Sequence, residues 1–354
     1  MDYILCLRGG ALGKRIRLAP IRYRERISKG WLRMFTFLSV ICAMTIIARY
    51  GVVFARADMI AGEDTVEMST AVGLLWSKVS RATIIFTEIV LLMTAIKKEI
   101  KVNKLLIINT IALLLACFPT ALSRNETAAI YLGLFVVFFY RDLGKFRQKP
   151  WYLFAFLLAT LMLFPLLNVF RRTSFGDENV IAMLSSMFQN LSDEYLSGGY
   201  DAFAMIGATV DHVEIYDATY GYQLLGSLLF FVPRSIWLAK PIGSGAMIAT
   251  SAGQRFTNIS CPLVAEGYVN FGVLGVIVFA FFAGFFCTVI DRKYWENAPK
   301  DQNFSFIKMV YPCLLPYYFF MLRGDLMSSF AYILSYVVTF WFLFKLSGWH
   351  LKWR

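Results

Sequence analysis

Charge is scarce in this sequence: Asp, Glu, Lys and Arg together make up 16% of residues against 58% apolar ones. A soluble domain carries about a quarter charged residues, so this chain has too few to cover a water-facing surface. Histidine is scarcer still, with only His212 and His350. The six cysteines stand at positions 6, 42, 117, 261, 287 and 313 with no CxxC pair. That spacing supports neither a zinc site nor a disulfide framework. No acidic cluster has metal-ligand spacing, and no inverted repeat or low-complexity tract appears. The stretch Met1–Gly30 lacks a long apolar run and is rich in arginine, so it reads as a basic arm lying against anionic lipid head groups, not as a signal peptide.

Apolar residues are abundant, and they come in blocks. A membrane span needs ~20 mostly apolar residues. Blocks that meet or approach this length lie at 32–54, 80–97, 104–121, 127–140, 151–170, 269–290, 304–322 and 326–345. They lack the two-residue alternation of barrel strands, which predicts an all-α integral membrane protein with about eight transmembrane helices. Basic residues collect in the arm from Arg8 to Arg33, at Lys97–Lys104, Arg141–Lys149 and Arg292–Lys308, and in the tail from Lys345 to Arg354. Eight spans with both termini in the cytoplasm place all five segments inside. The net charge of +12 is therefore a topology signal, not a nucleic-acid patch. The expected organisation is a basic cytoplasmic arm over 1–31 and a single polytopic membrane domain over 32–354.

One connection is much longer than the others. Residues 171–268, between the fifth and sixth blocks, are expected to form a large periplasmic segment, and long ordered loops usually carry function. Val180–Leu191 and Asp201–Val213 read as amphipathic helices at the membrane surface. Gly221–Leu238 is almost long enough to span. Counting it as a span would put the later basic loops outside, so it reads as re-entrant or interfacial, its helix ending at Pro233.

The outer face gathers cations from distant sequence positions: Arg124, Arg171, Arg172, Arg234, Lys240, Arg255 and Arg323. An arginine fork donates two parallel hydrogen bonds to phosphate oxygens and stays charged at any pH. Arg171 and Arg172, at a span end, serve equally well as interfacial anchors, and Arg323 has Asp325 close by as a partner. Candidate acids and bases on this face are Asp211, His212, Glu214, Glu266 and Asp325. Of these, His212 and Glu266 are the candidate catalytic groups, able to take a proton from a hydroxyl. Within the spans, Arg49 and Glu88 fall in outer halves and are expected to pair with each other.

These motifs resemble those of the bacterial O-antigen and oligosaccharide-repeat-unit polymerases of the Wzy type. The resemblance rests on PTALSRNETAAIYLGL, LLGSLLFFVPRSIWLAKP, AEGYVNFGVLGV and FMLRGDL, over roughly residues 110 to 335. It implies a polytopic inner-membrane glycosyltransferase of GT-C-like class; with no acidic cluster of metal-ligand spacing, a metal-independent reaction without other cofactors is the simpler expectation. Such an enzyme transfers a growing glycan from undecaprenyl pyrophosphate to another lipid-linked repeat unit at the periplasmic face. Arg124, Arg234 and Arg323 would hold the pyrophosphate, Glu266 would belong to the acceptor region, and a chain-length regulator would be a membrane partner. The alternatives are the lipid A–core ligase type, which shares the donor, and a flippase or transporter, which calls for polar residues at mid-span.

Overall fold

The computed structural model describes residues 10–15, 23–24, 27–51, 71–97, 101–138, 185, 202–254, 257, 259–295 and 304–348. The described chain is mostly helical and divides into two compact units. One comprises Arg22–Tyr195, Pro299–Pro316 and Ser335–Arg354; the other comprises Met1–Ile21, Leu196–Ala298 and Tyr317–Leu334.

In the first unit, α1 (Lys29–Tyr50), α2 (Ala71–Lys97) and α3 (Asn103–Ala116) pack on one another. Helix α1 begins where the Ser28 side chain accepts from the Trp31 N–H, and it ends at Gly51, whose φ of 73° few other residues adopt. The interior face of α2 carries Ile84, Ile85, Phe86 and Ile89, all fully buried. Phe86 meets Phe35 edge-on at 5.4 Å and Phe340 at 5.3 Å. Thr83, Thr87 and Thr94 donate their hydroxyl protons to the carbonyls four residues earlier, which satisfies these three donors in an apolar setting. A helical run follows as α4 (Arg124–Thr127), a π-turn (Ala128–Leu132) and α5 (Gly133–Phe138). Two-residue strands at Tyr23–Arg24 and Phe304–Ser305 pair antiparallel.

The second unit holds α6 (Ala202–Tyr216), α7 (Tyr222–Leu228), α8 (Ser244–Ser251) and α9 (Leu263–Trp295). Met205, Ile248, Cys261 and Ala265 form a core that joins α6, α8 and the start of α9. At Phe271–Gly272 the helical path of α9 breaks, with Gly272 at φ 59°. Across this kink the backbones of Gly267 and Gly275 touch, leaving no room for a Cβ on either. The glycines of AEGYVNFGVLGV thus make a sharp bend, and the residues beyond it still reach ~35 Å as a helix. Arg292, near the far end of α9, donates to the carbonyls of Gly13 and Lys14. Helices α10 (Phe306–Arg323) and α11 (Leu326–Leu346) have residues in both units.

Among the described residues, four helices are long and apolar enough to cross a membrane: Lys29–Tyr50, Leu75–Lys97, Leu263–Trp295 and Leu326–Leu346. The expected block at 104–121 yields only the 14-residue α3. The block at 127–140 falls on the run through the π-turn, and that at 304–322 on the 18-residue α10, which contains Pro312 and Pro316. The block at 151–170 lies outside the described residues, as do Arg171, Arg172, Arg255 and Val180–Leu191 apart from Ser185. Residues 221–238 do not form a span. Helix α7 has seven residues and stops at Leu228, ahead of Pro233, and turns carry the chain onward.

Candidate functional site

The long segment expected to be periplasmic folds back on the bend of α9. Thr219 N–H donates to the Val269 carbonyl at 2.8 Å and Gly221 N–H to that of Asn270 at 3.2 Å. Asn270 is fully buried beside the kink. Its side-chain oxygen accepts from the Leu224 N–H at 2.9 Å, and its amide donates to the Glu266 carbonyl at 2.8 Å. The side chain of one helix thereby caps the N-terminus of another, a role the sequence reading missed.

Glu266 lies in the short helical stretch before the kink and is 0% exposed. One carboxylate oxygen accepts from the Ser244 hydroxyl at 2.7 Å and the other from the Leu326 N–H at 3.0 Å. It therefore pins the start of α8 to the start of α11. The neighbouring residues meet as well: a Cβ on Gly243 would stand 2.8 Å from Oδ1 of Asp325. Asp325 caps α11, its Oδ2 accepting from the Ser328 N–H at 2.9 Å and hydroxyl at 3.1 Å. Oδ1 of Asp325 is buried and has no hydrogen-bond partner. Arg323 is the last residue of α10, and only Gly324 and Asp325 separate it from α11.

The loop from Leu229 to Pro241 closes on itself through its two cations. Arg234 donates to the carbonyls of Lys240 at 2.5 Å and Pro241 at 3.1 Å. Lys240 Nζ donates to those of Phe230 at 2.5 Å and Val232 at 2.9 Å. Burial and the nearby Arg234 charge pull the Lys240 pKa below its usual value. Phe230 packs against Phe330 of α11 at 6.2 Å, and Gly226 presses on Pro241 and Met327. Arg234, Lys240, Asp325 and Glu266 consequently belong to one local construction, and Ser244 is its unforeseen member.

His212 faces inward from α6 with 9% exposure. Nδ1 lies 2.7 Å from the Ser251 hydroxyl, whose proton goes to the Ile248 carbonyl at 2.8 Å. Ser251 has one proton to give, so the histidine proton sits on Nδ1 and Nε2 keeps its lone pair. Burial lowers the His212 pKa from its ordinary value, which favours the neutral ring.

Arg124 belongs to the first unit. It opens α4 in a turn closed by Thr127, whose hydroxyl donates to Pro119 O at 3.0 Å, and by Tyr131, which donates to Cys117 O at 2.6 Å. Two residues on, Glu126 is buried against Arg81, whose Nη1 lies 3.0 Å from both carboxylate oxygens, and Lys78 at 2.9 Å. Burial alone would raise the Glu126 pKa; the Arg81 and Lys78 charges outweigh it and hold the carboxyl at about 2. The sequence reading passed over this triad because Lys78 and Arg81 stand at the edge of the block counted as a span. The expected Arg49–Glu88 pair does not form. Glu88 sits midway along α2 and accepts from Asn109 and Thr110 of α3, each at 2.6 Å, whereas Arg49 at the end of α1 lies over the Tyr50 ring.

A family model described as O-antigen polysaccharide polymerase Wzy matches residues 20–348. No curated protein and no solved structure matches the chain.

Proposed function

This chain belongs to the O-antigen polysaccharide polymerase Wzy family, and on that premise we propose how its residues carry out the transfer. The protein is a repeat-unit polymerase, a multi-pass membrane enzyme of glycosyltransferase type that acts on lipid-linked oligosaccharides. In our reading it lies in the bacterial inner membrane with eight spans, both termini cytoplasmic and the active face periplasmic. The donor is a glycan on undecaprenyl pyrophosphate, and the acceptor is a sugar hydroxyl of a second lipid-linked repeat unit. A chain-length regulator is its membrane partner.

The observation that carries this assignment is the double hydrogen bond of Glu266, to Ser244 and to Leu326, which fastens the Arg234–Lys240 loop beside the Asp325 turn. Arg234, Lys240 and Arg323 hold the pyrophosphate, with Asp325 at the edge of that site. For Arg124, Arg171 and Arg172 a role in donor binding rests on their sequence positions alone. Fixed cations stabilise charge on the leaving pyrophosphate without reorganising, which makes a metal-independent, GT-C-like transfer workable. The acceptor oxygen attacks the anomeric carbon as the bond to pyrophosphate breaks. The hydroxyl proton passes to Nε2 of His212, and undecaprenyl pyrophosphate departs. Glu266, which ties Ser244 to Leu326 through its two oxygens, acts as a positioning group.

The test is complementation of a deletion strain. The wild-type gene restores long chains, and Arg234→Ala leaves single repeats on the lipid A core at normal protein level. Arg234→Lys restores chains only partly, because a point charge lacks the fork. Normal chains from Arg234→Ala would remove the loop from donor binding. Loss of attachment altogether would indicate a ligase step, and a block before the outer face a flippase step.

A further inference from the structure

The Leu229–Pro241 loop carries a second feature beside its cations. Phe231 is 59% exposed, Ile236 77% and Leu238 87%, outside every helix long enough to cross a membrane. The loop holds these side chains outward by construction. Lys240 and Arg234 bind the carbonyls on its inner side, and Phe230 packs back onto Phe330. The tip cannot fold inward without giving up those four carbonyl bonds.

The cations themselves are not saturated. Lys240 has spent two of its ammonium protons, and Arg234 two of its five N–H groups, on backbone carbonyls. No Asp or Glu occurs between Gly221 and Gly243. Surplus positive charge thus stands next to an outward apolar surface. Its complement is an amphiphile with an anionic head joined directly to an apolar chain.

We propose that Phe231, Ile236 and Leu238 seat the polyprenyl chain of the lipid-linked donor, next to the cations that hold its pyrophosphate. This rests on the donor reading above. A chain lying on the tip delivers its head to Arg234 and Lys240, and the contact of Gly243 with Asp325 sets that head beside the carboxylate turn. The loop then tells a lipid-linked donor from a soluble sugar pyrophosphate by its tail.

The experiment uses the full chain in lipid nanodiscs. Elongation is measured with one repeat unit carried either on undecaprenyl pyrophosphate or on a short, soluble isoprenyl pyrophosphate. The wild type shows a lower KM for the long-chain donor. The triple substitution Phe231→Ser, Ile236→Ser, Leu238→Ser reduces the KM ratio between the two donors on the order of tenfold. Leu238→Ser alone, at the most exposed position, moves the ratio part of the way and guards against misfolding of the triple variant. Phe231→Leu with Leu238→Met keeps the ratio. An unchanged ratio in both serine variants overturns the proposal and leaves bulk phospholipid as the occupant of the tip. The donor reading is checked separately: Arg234→Lys raises KM for both donors by the same factor, and an unaltered KM there sinks head-group binding whatever the tail ratio does.

Discussion

At His212 the single proton of Ser251 decides the chemistry. Because that proton goes to the Ile248 carbonyl, the imidazole donates through Nδ1 and offers Nε2 as a base. Burial depresses its pKa, so protonating it takes a more acidic solution than a free imidazole needs. Elongation should therefore hold steady through neutral pH and fall on the acid side, below pH ~6.5. His212→Gln should lower the rate by about a hundredfold or more and remove that acid limb. Glu266 offers the contrast, since each of its carboxylate oxygens is held by a hydrogen bond, one from Ser244 and one from Leu326. In Glu266→Gln the new amide can still accept from the Leu326 N–H and donate to Ser244, so this variant should keep elongation within a few-fold of wild type. Elongation rates for both variants across pH separate the two roles. A dead Glu266→Gln beside an active His212→Gln with an unaltered acid limb would transfer the base to Glu266.

Among the elements, α2 and α4 are joined by a charge cluster in which Lys78 and Arg81 meet Glu126. Removing one partner of a buried pair costs about 3–5 kcal/mol, because the other charge stays buried without compensation. Glu126→Gln should lower the melting temperature of the detergent-solubilised protein sharply, since two like charges then face each other. Combining Glu126→Gln with Arg81→Gln returns the cluster to its original net charge and should recover much of the loss. Additive losses in the double variant, or a wild-type melting point in the single one, would show that the triad does not hold the Arg124 turn. This cluster was legible only in part. The turn PTALSRNET announced itself through Pro119 and Arg124, but periodicity says nothing about which distant basic residues reach Glu126. The same limit explains Ser244 and Asn270, ordinary polar residues whose work comes from tertiary contacts with Glu266, Thr219 and Leu224. Glu266 itself stood out because a carboxylate among apolar residues and glycines is conspicuous. The wrong partner for Glu88 came from matching depth in two spans without knowing which faces meet.

For the molecule as a whole, charge asymmetry and apolar blocks carried the fold class, while span lengths were blurred by Pro312, Pro316 and the bend at Gly272. Hydropathy alone cannot tell Gly221–Leu238 from a span; the two cations that tie its turns to backbone carbonyls make the difference. Orientation then follows from where lysine and arginine collect, since cytoplasmic loops hold the excess. On the eight-span reading, with no crossing at 221–238, the segments around Arg147 and Lys300 are expected on one side of the membrane and Gly198 and Arg323 on the other. Paired reporters, one active only in the cytoplasm and one only outside it, should read cytoplasm when fused after Arg147 or Lys300. Fusions at Gly198 or Arg323 should read the outer compartment. A cytoplasmic signal at Gly198 would place the Arg234–Lys240 loop on the face opposite to the lipid-linked acceptor. A reversal at both Lys300 and Arg323, with Arg147 and Gly198 unchanged, would mean that residues 221–238 cross the bilayer after all. The second outcome would also require Arg234 and Lys240 to surrender their carbonyl partners, so it carries its own check: Arg234→Ala would then leave the topology unchanged while the loop hydrogen bonds were already absent.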